Sequence, residues 1–166
     1  MALKAYMQVK GQHQGVIKGS VTQKGREDSI AVFACHHEII SPRDAASGLP
    51  SGKRQHKPFT ITKGPDKATP LLYKALCTNE ILTEVIVKFW RLKPKGGPGA
   101  GTEVQYYTVA LTNASIASIT ATMPNTNDTT QQKVDMSEEV GFTYQKIEWT
   151  WNDGGITAGD DWEARV

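Results

Sequence analysis

From Glu80 to Leu92 the chain alternates with a period of two, and both of the resulting faces are largely apolar. One face reads Ile81, Thr83, Val85, Val87 and Phe89; the other reads Leu82, Glu84, Ile86, Lys88 and Trp90. Successive side chains of a strand point to opposite sides, so this pattern is a strand that must be covered twice. The same holds further on, where Val104 and Tyr106 oppose Tyr107, Val109 and Leu111. A chain of 166 residues has room for one domain, spanning 1–166, and for one barrel interior. The second apolar face therefore calls for a helix or another subunit over it. A short helix reaches only part of the way, so the pattern predicts an obligate oligomer.

The rest of the chain is strand-rich. Thr, Val and Ile far outnumber Leu, and β-branched side chains suit a pleated surface better than a helix. Alternation predicts further strands over Lys4–Lys10, Ser29–Ile40, His56–Lys63, Thr102–Leu111, Ala114–Met123 and Val134–Tyr144. In the last of these Val134, Met136, Glu138, Val140, Phe142 and Tyr144 share a face, but beyond it the apolar set becomes Ile147, Trp149 and Trp151. The phase flips near Lys146, as a β-bulge would make it do. One helix interrupts the strands: Ala68, Leu71, Leu72, Ala75 and Leu76 form a single stripe. Thr69-Pro70 reads as its N-cap and first helical proline, and Asn79 as its stop. The expected fold class is thus mainly β: a small barrel or sandwich of two sheets with one short flanking α-helix. Ser41–Gln55 and Lys93–Gly101 read as its two long loops.

Charge and cysteine content narrow the function classes. Nineteen Lys and Arg against 17 Asp and Glu give a formal charge of +2, which is no general field for nucleic acid. The longest apolar run, Ile30–Cys35, is far short of the roughly 20 residues of a spanning helix, so no direct membrane insertion is expected. The first dozen residues hold Lys4, Gln8 and Lys10 and no apolar h-region, so no cleavable signal peptide is expected and synthesis is cytoplasmic. Cys35 and Cys77 are too few for a disulfide framework or a zinc site, and their apolar neighbours suggest buried thiols.

No group of residues carries a catalytic pattern. His36, His37 and Glu38 place two candidate ligands on one strand face without a third, and His37 fits a core histidine. The glycine-rich run Gly96–Gly101 lacks both the Lys-Ser/Thr and the helix of a phosphate loop. Asp153, Asp160 and Asp161 do not follow calcium-loop spacing and read as a solvated turn. No G-x-S-x-G elbow occurs, and Cys35 and His36 face opposite ways as strand neighbours. No enzyme, cofactor or metal is expected. The densest cationic run is Lys53, Arg54, His56 and Lys57, with Arg43 and Asp44 earlier in the same loop. A loop carrying both signs suits electrostatic docking.

The segments Lys57–Lys63 (KPFTITK), Asp66–Pro70 (DKATP) and the helix to Cys77 resemble the central signature of the Hcp family, the haemolysin-coregulated proteins of type VI secretion. The ending Ile147–Thr157 (IEWTWNDGGIT) and the opening Ala5–Gly11 (AYMQVKG) are similar to the same family. The likeness runs over essentially the whole chain. It implies a helix-flanked β-barrel that closes into hexameric rings. These rings stack into the inner tube of a contractile sheath and are fired with a spike. Small effectors ride in the lumen, and the tube protein itself is secreted after cytoplasmic assembly. The fold is similar to that of phage tail tubes.

The resemblance also implies site residues. Ala34, His36 and Glu38 fall where the family's first long strand faces the lumen, and they are expected to line the channel. The loop Ser41–Lys57 matches the family's extended loop, with Arg43, Asp44, Lys53, Arg54, His56 and Lys57 as contacts to the next ring. Partners so implied are further copies of the chain, sheath and spike components, and small effectors. The competing reading is a monomeric β-barrel binding module whose pocket is the face assigned here to the lumen.

Overall fold

The computed structural model describes residues 2–162. Its strands are β1 (Ala5–Gly11), β2 (Gly15–Ile17), β3 (Ile30–Val32), β4 (Ala34–His36), β5 (Ile39–Ile40), β6 (Gln55–His56) and β7 (Phe59–Lys63). After the helix α1 (Thr69–Cys77) come β8 (Leu82–Leu92), β9 (Glu103–Thr122), β10 (Ser137–Trp151) and β11 (Ile156–Asp161). Nine strands form one sheet: seven follow the path β2-β1-β8-β9-β10-β7-β4, while β3 pairs with β1 and β11 with β10, and β5 and β6 form a separate two-stranded sheet. The large sheet closes on itself at its third strand. β3 pairs with β1, and two residues later β4 pairs with β7, so one stretch of chain joins both edges. Closure removes the edges that an open sheet would expose.

The mainly-β fold with one helix is as expected, and the core follows the alternation. Met7 and Val9 of β1, Phe59 and Ile61 of β7, Val85 and Val87 of β8, and Val140 and Phe142 of β10 are all buried inside one cluster. The helix runs from β7 to β8, strands separated by β9 and β10, so it crosses one end of the barrel and buries Ala68, Leu72 and Ala75 there.

Several local expectations change. The N-cap is Ala68 rather than Thr69, which is already the first helical residue, and no side chain caps the helix. Thr69 Oγ1 is engaged instead with Lys63 and Glu138. Asn79 does end the helix, at φ 51°. The amide of Asn79 donates to the Leu76 carbonyl and that of Glu80 to the Ala75 carbonyl, the double bond of a Schellman motif. Ser29–Ile40 is not one strand; it bends at Phe33 and leaves the ladder after His36. Phe33 is 53% exposed, so it does not join the core. Thr102–Leu111 and Ala114–Met123 are one continuous strand, β9, that passes through Asn113 at φ 49°. Val134 and Met136 precede β10 and are exposed.

The phase flip near Lys146 is real, but it is not a one-strand bulge. In β10 the buried positions step from Tyr144 to Ile147, in β9 from Leu111 to Ala114, and in β8 from Leu82 to Val85. The β9–β10 register is the same on either side of this row. Three strands change face together along the line Thr83–Asn113–Gln145, so none needs an extra residue relative to its neighbour. Asn113 Nδ2 donates to Gln145 Oε1 across it at 2.9 Å.

Part of the second apolar face is covered within the chain by arginines. The Arg26 guanidinium lies 3.6 Å from the Trp90 ring centroid and 4.8 Å from that of Tyr6. It is held there by Glu103 and Gln23. Arg91 sits 5.0 Å from the Tyr106 ring and 5.3 Å from the Trp151 ring. Planar guanidinium groups stack on aromatic faces while keeping donors for carboxylates.

Candidate functional site: a polar wall and a projecting hairpin

Directly opposite residues of antiparallel strands share a face, so the ladder itself defines the wall. Ala34 faces Thr62, which faces Glu139, which faces Thr120. The next row is His36, Thr60, Gly141 and Ser118. The outer face of β4, β7, β10 and β9 is therefore built from small or polar side chains. Ala34, His36, Thr60, Thr62 and Glu139 line a shallow groove on it. Phe59, Ile61 and Lys63 point the other way, into the barrel. Cys35 faces as Ile61 does, yet it lies on a strand of only three residues and is exposed, as is Cys77; neither is the buried thiol expected.

Glu38 does not continue this wall. It lies beyond the end of β4, its carbonyl accepts the Lys57 amide, and its carboxylate pairs with Lys57 Nζ at 3.4 Å. These bonds close the base of a hairpin. β5 and β6 pair through Ile39–His56 and Ile40–Gln55, and Arg43 bridges Pro50 nearer the tip. Asp44 Oδ2 accepts both the amide and the hydroxyl of Ser47, which holds its carboxyl below the ordinary aspartate value. The loop between the strands is thus an ordered arm, with Leu49 at its tip 65% exposed.

The cationic loop residues divide into two groups. Arg43 and Lys53 are exposed and carry no ion pair among the described residues. Arg54 pairs instead with Asp160 and donates to the Asp161 carbonyl at 3.2 Å. The His56 side chain is 1% exposed. Its Nδ1 lies 2.7 Å from the Tyr144 hydroxyl and its Nε2 2.6 Å from Asp160 Oδ2. His37 Nε2 lies 2.7 Å from the same hydroxyl, with its ring against Phe59. His37 is thus half-buried at the edge of the barrel rather than in the core as expected, its pKa lowered by burial and then by the charges of His56 and His36. The Arg54 hydrogen bond pulls the Asp160 carboxyl down, with His56 adding to it against the cost of burial. Asp160 and Asp161 belong to β11, not to a solvated turn.

Sequence reasoning missed Tyr144 and Asp160 as partners of the loop. Tyr144 read as one more core position, and nothing local ties Asp160 to residues some hundred positions earlier. Thr60, Thr62 and Glu139 were legible as alternating positions, but their shared wall needs the strand order.

The site is thus a polar outer wall on a closed barrel beside a hairpin arm, and no metal-binding cluster occurs among the described residues. The family described as "Type VI secretion system effector, Hcp" matches residues 6–151. The "Major exported protein" of Pseudomonas aeruginosa is 41% identical over 175 aligned positions, covering 100% of this chain and 99% of that protein. A crystal structure of an Hcp protein superposes with a TM-score of 0.86 at 30% identity, over 98% of this chain and 99% of that one. The secreted protein Hcp3 of Pseudomonas aeruginosa gives 0.76 at 34%, covering 99% and 100%. The chain belongs to the Hcp family of type VI secretion proteins.

Proposed function

We propose that this chain closes into hexameric rings that stack as the inner tube of a type VI secretion system, and that the tube is exported with small effectors in its lumen. The polar wall of β4, β7, β10 and β9 carries the reading. A channel that cargo must leave needs a surface without large apolar grips, and Ala34, His36, Thr60, Thr62, Ser118 and Glu139 supply one. Export fits the relative whose name is "Major exported protein".

Ring closure would bury flanking surface of roughly 800 Å² per partner, the size of an ordinary stable interface. The arm would reach the next ring, with Arg43, Lys53 and the Leu49 tip as its contacts. Asp44, Arg54, His56, Lys57 and Glu38 shape and anchor the arm. Stacking through so few charges is weaker than ring closure and sensitive to salt. The outer wall, by contrast, offers only a shallow groove at Ala34, His36, Thr60, Thr62 and Glu139, which favours the tube over a monomeric binding module whose pocket would be that face.

The test is light scattering behind a size-exclusion column, with negative-stain imaging of the peak. A mass near six times 18.2 kDa with ring-shaped particles is expected; a clean monomer would overturn the reading.

A further inference from the structure

We propose that His37 and His56, placed on either side of the Tyr144 hydroxyl, form a proton-operated latch that fixes the β5–β6 arm to β11 at neutral pH and frees it in mild acid. The latch rests on contacts within one chain and does not depend on the tube reading.

Hydrogen counting sets how it works. Asp160 is a carboxylate held by Arg54, so it has no proton to give, and His56 Nε2 must carry the hydrogen between them. In a neutral His56, Nδ1 is then an acceptor, and the Tyr144 hydroxyl donates to it. The Tyr144 oxygen is left to accept from His37 Nε2. The chain His37→Tyr144→His56→Asp160 thus runs in one direction with every donor used. One added proton can be absorbed, because Tyr144 can turn and donate to His37. A second cannot: both rings would aim N–H groups at one oxygen, and the hydroxyl hydrogen would have no acceptor.

The surrounding charges do not relieve this. β4 contributes His36, which adds positive charge when protonated. Asp160 attracts a positive His56 but is shared with Arg54, and neither offers the Tyr144 hydrogen an acceptor. Asp161 receives Arg54 on its backbone carbonyl. Lys57, next to His56, is paired with Glu38. Phe59 and Trp162 present rings to His37 and His56, respectively. Once the arm lifts away, both imidazoles reach water, where neither has to share the Tyr144 hydroxyl and each can take a proton. The freed state therefore binds more protons, and release is favoured as pH falls into mild acid.

Amide hydrogen exchange of the full chain at pH 7.5 and 5.5, corrected for intrinsic rates, tests the latch. Protection of residues 39–57 and 156–161 is expected to fall at least tenfold at the lower pH, with β8 and β9 unchanged. In His37→Gln, which keeps a donor to Tyr144 but cannot titrate, the drop should shrink to less than threefold. Equal protection of the arm at both pH values overturns the proposal, as does an undiminished drop in His37→Gln. Should that variant not fold, the wild-type comparison decides alone. A loss spread evenly over the barrel counts against a latch.

Discussion

Glu80 and Gln14 are joined twice: one Glu80 carboxylate oxygen accepts the Gln14 amide at 2.7 Å, and the other accepts the Gln14 side-chain nitrogen at 2.8 Å. The His13 amide adds a third bond at 2.7 Å. Glu80 follows the helix stop, and Gln14 sits in the β1–β2 turn. One carboxylate, 5% exposed, therefore fastens the end of α1 to the first hairpin.

Glu80→Ala should destabilise the fold by about 2 kcal/mol at pH 7, because buried amides lose a charged acceptor. Burial pushes the Glu80 carboxyl up, but its bonds to Gln14 and His13 outweigh that and leave the pKa below the ordinary value. With the folded pKa below the unfolded one, the stabilisation is full above the ordinary glutamate range and is lost as pH falls through the folded value. Urea titrations across that range check this. The stability gap between wild type and Glu80→Ala should narrow towards low pH, and a constant gap would contradict the assignment.

Asn113 has the left-handed conformation, φ 49°, in the middle of a twenty-residue strand. Only glycine and, less readily, asparagine or aspartate enter that region without a large penalty. Asn113→Val should therefore cost about 1–2 kcal/mol, whereas Asn113→Gly should stay closer to wild type despite losing the bond to Gln145. Thermal melts of both variants separate the two effects. Equal losses would place the cost in the hydrogen bond rather than in the backbone.

That row across Thr83, Asn113 and Gln145 also marks where sequence reading runs out. Away from that row, alternation reports which side chains go inward: Val85 with Val87 and Val140 with Phe142 are buried as read, whereas Ile81, read on the face of Val85, is exposed and Leu82 is buried. What alternation cannot report is whether a flip belongs to one strand or to several at once, since register is a relation between chains of residues far apart. The break at Thr112-Asn113 therefore read as two strands, and the flip near Lys146 as a bulge. The wall suffers similarly. Ala34 and His36 were placed opposite Cys35 correctly, but Glu38 left the ladder because the strand ended at His36. His56 and Arg54 looked like free loop charges because Tyr144 and Asp160, which hold them, lie about a hundred residues on.

Arg26 covers Trp90 and Tyr6 through the plane of its guanidinium and reaches Glu103 with the edge. A lysine offers charge without that plane. Arg26→Lys should recover less than half of the stability lost in Arg26→Ala, itself expected at about 2 kcal/mol for a desolvated cation–π contact. Denaturant midpoints of the two variants decide it, and full recovery by lysine would show that charge alone is at work.

Lys63 is fully buried and binds three partners at once: Glu138 at 2.7 Å, Asp66 at 3.0 Å and the Thr69 hydroxyl at 3.0 Å. The barrel end therefore encloses two carboxylates around one ammonium group. Removing the ammonium alone leaves those carboxylates without their counter-charge, and breaking a buried pair in this way costs about 3–5 kcal/mol. Lys63→Met is expected in that range. Replacing Glu138 as well, by leucine, removes one of the stranded charges and adds apolar contact, so Lys63→Met/Glu138→Leu should be more stable than Lys63→Met alone. Asp66 tempers the recovery, because its carboxylate stays close to the vacated site; the Ala68 amide, which donates to the same Oδ1 at 3.1 Å, still holds it in both variants. A double-mutant cycle read from chemical denaturation measures the coupling directly. If the double variant is as unstable as the sum of the singles, the cluster is not held by the Lys63–Glu138 pair.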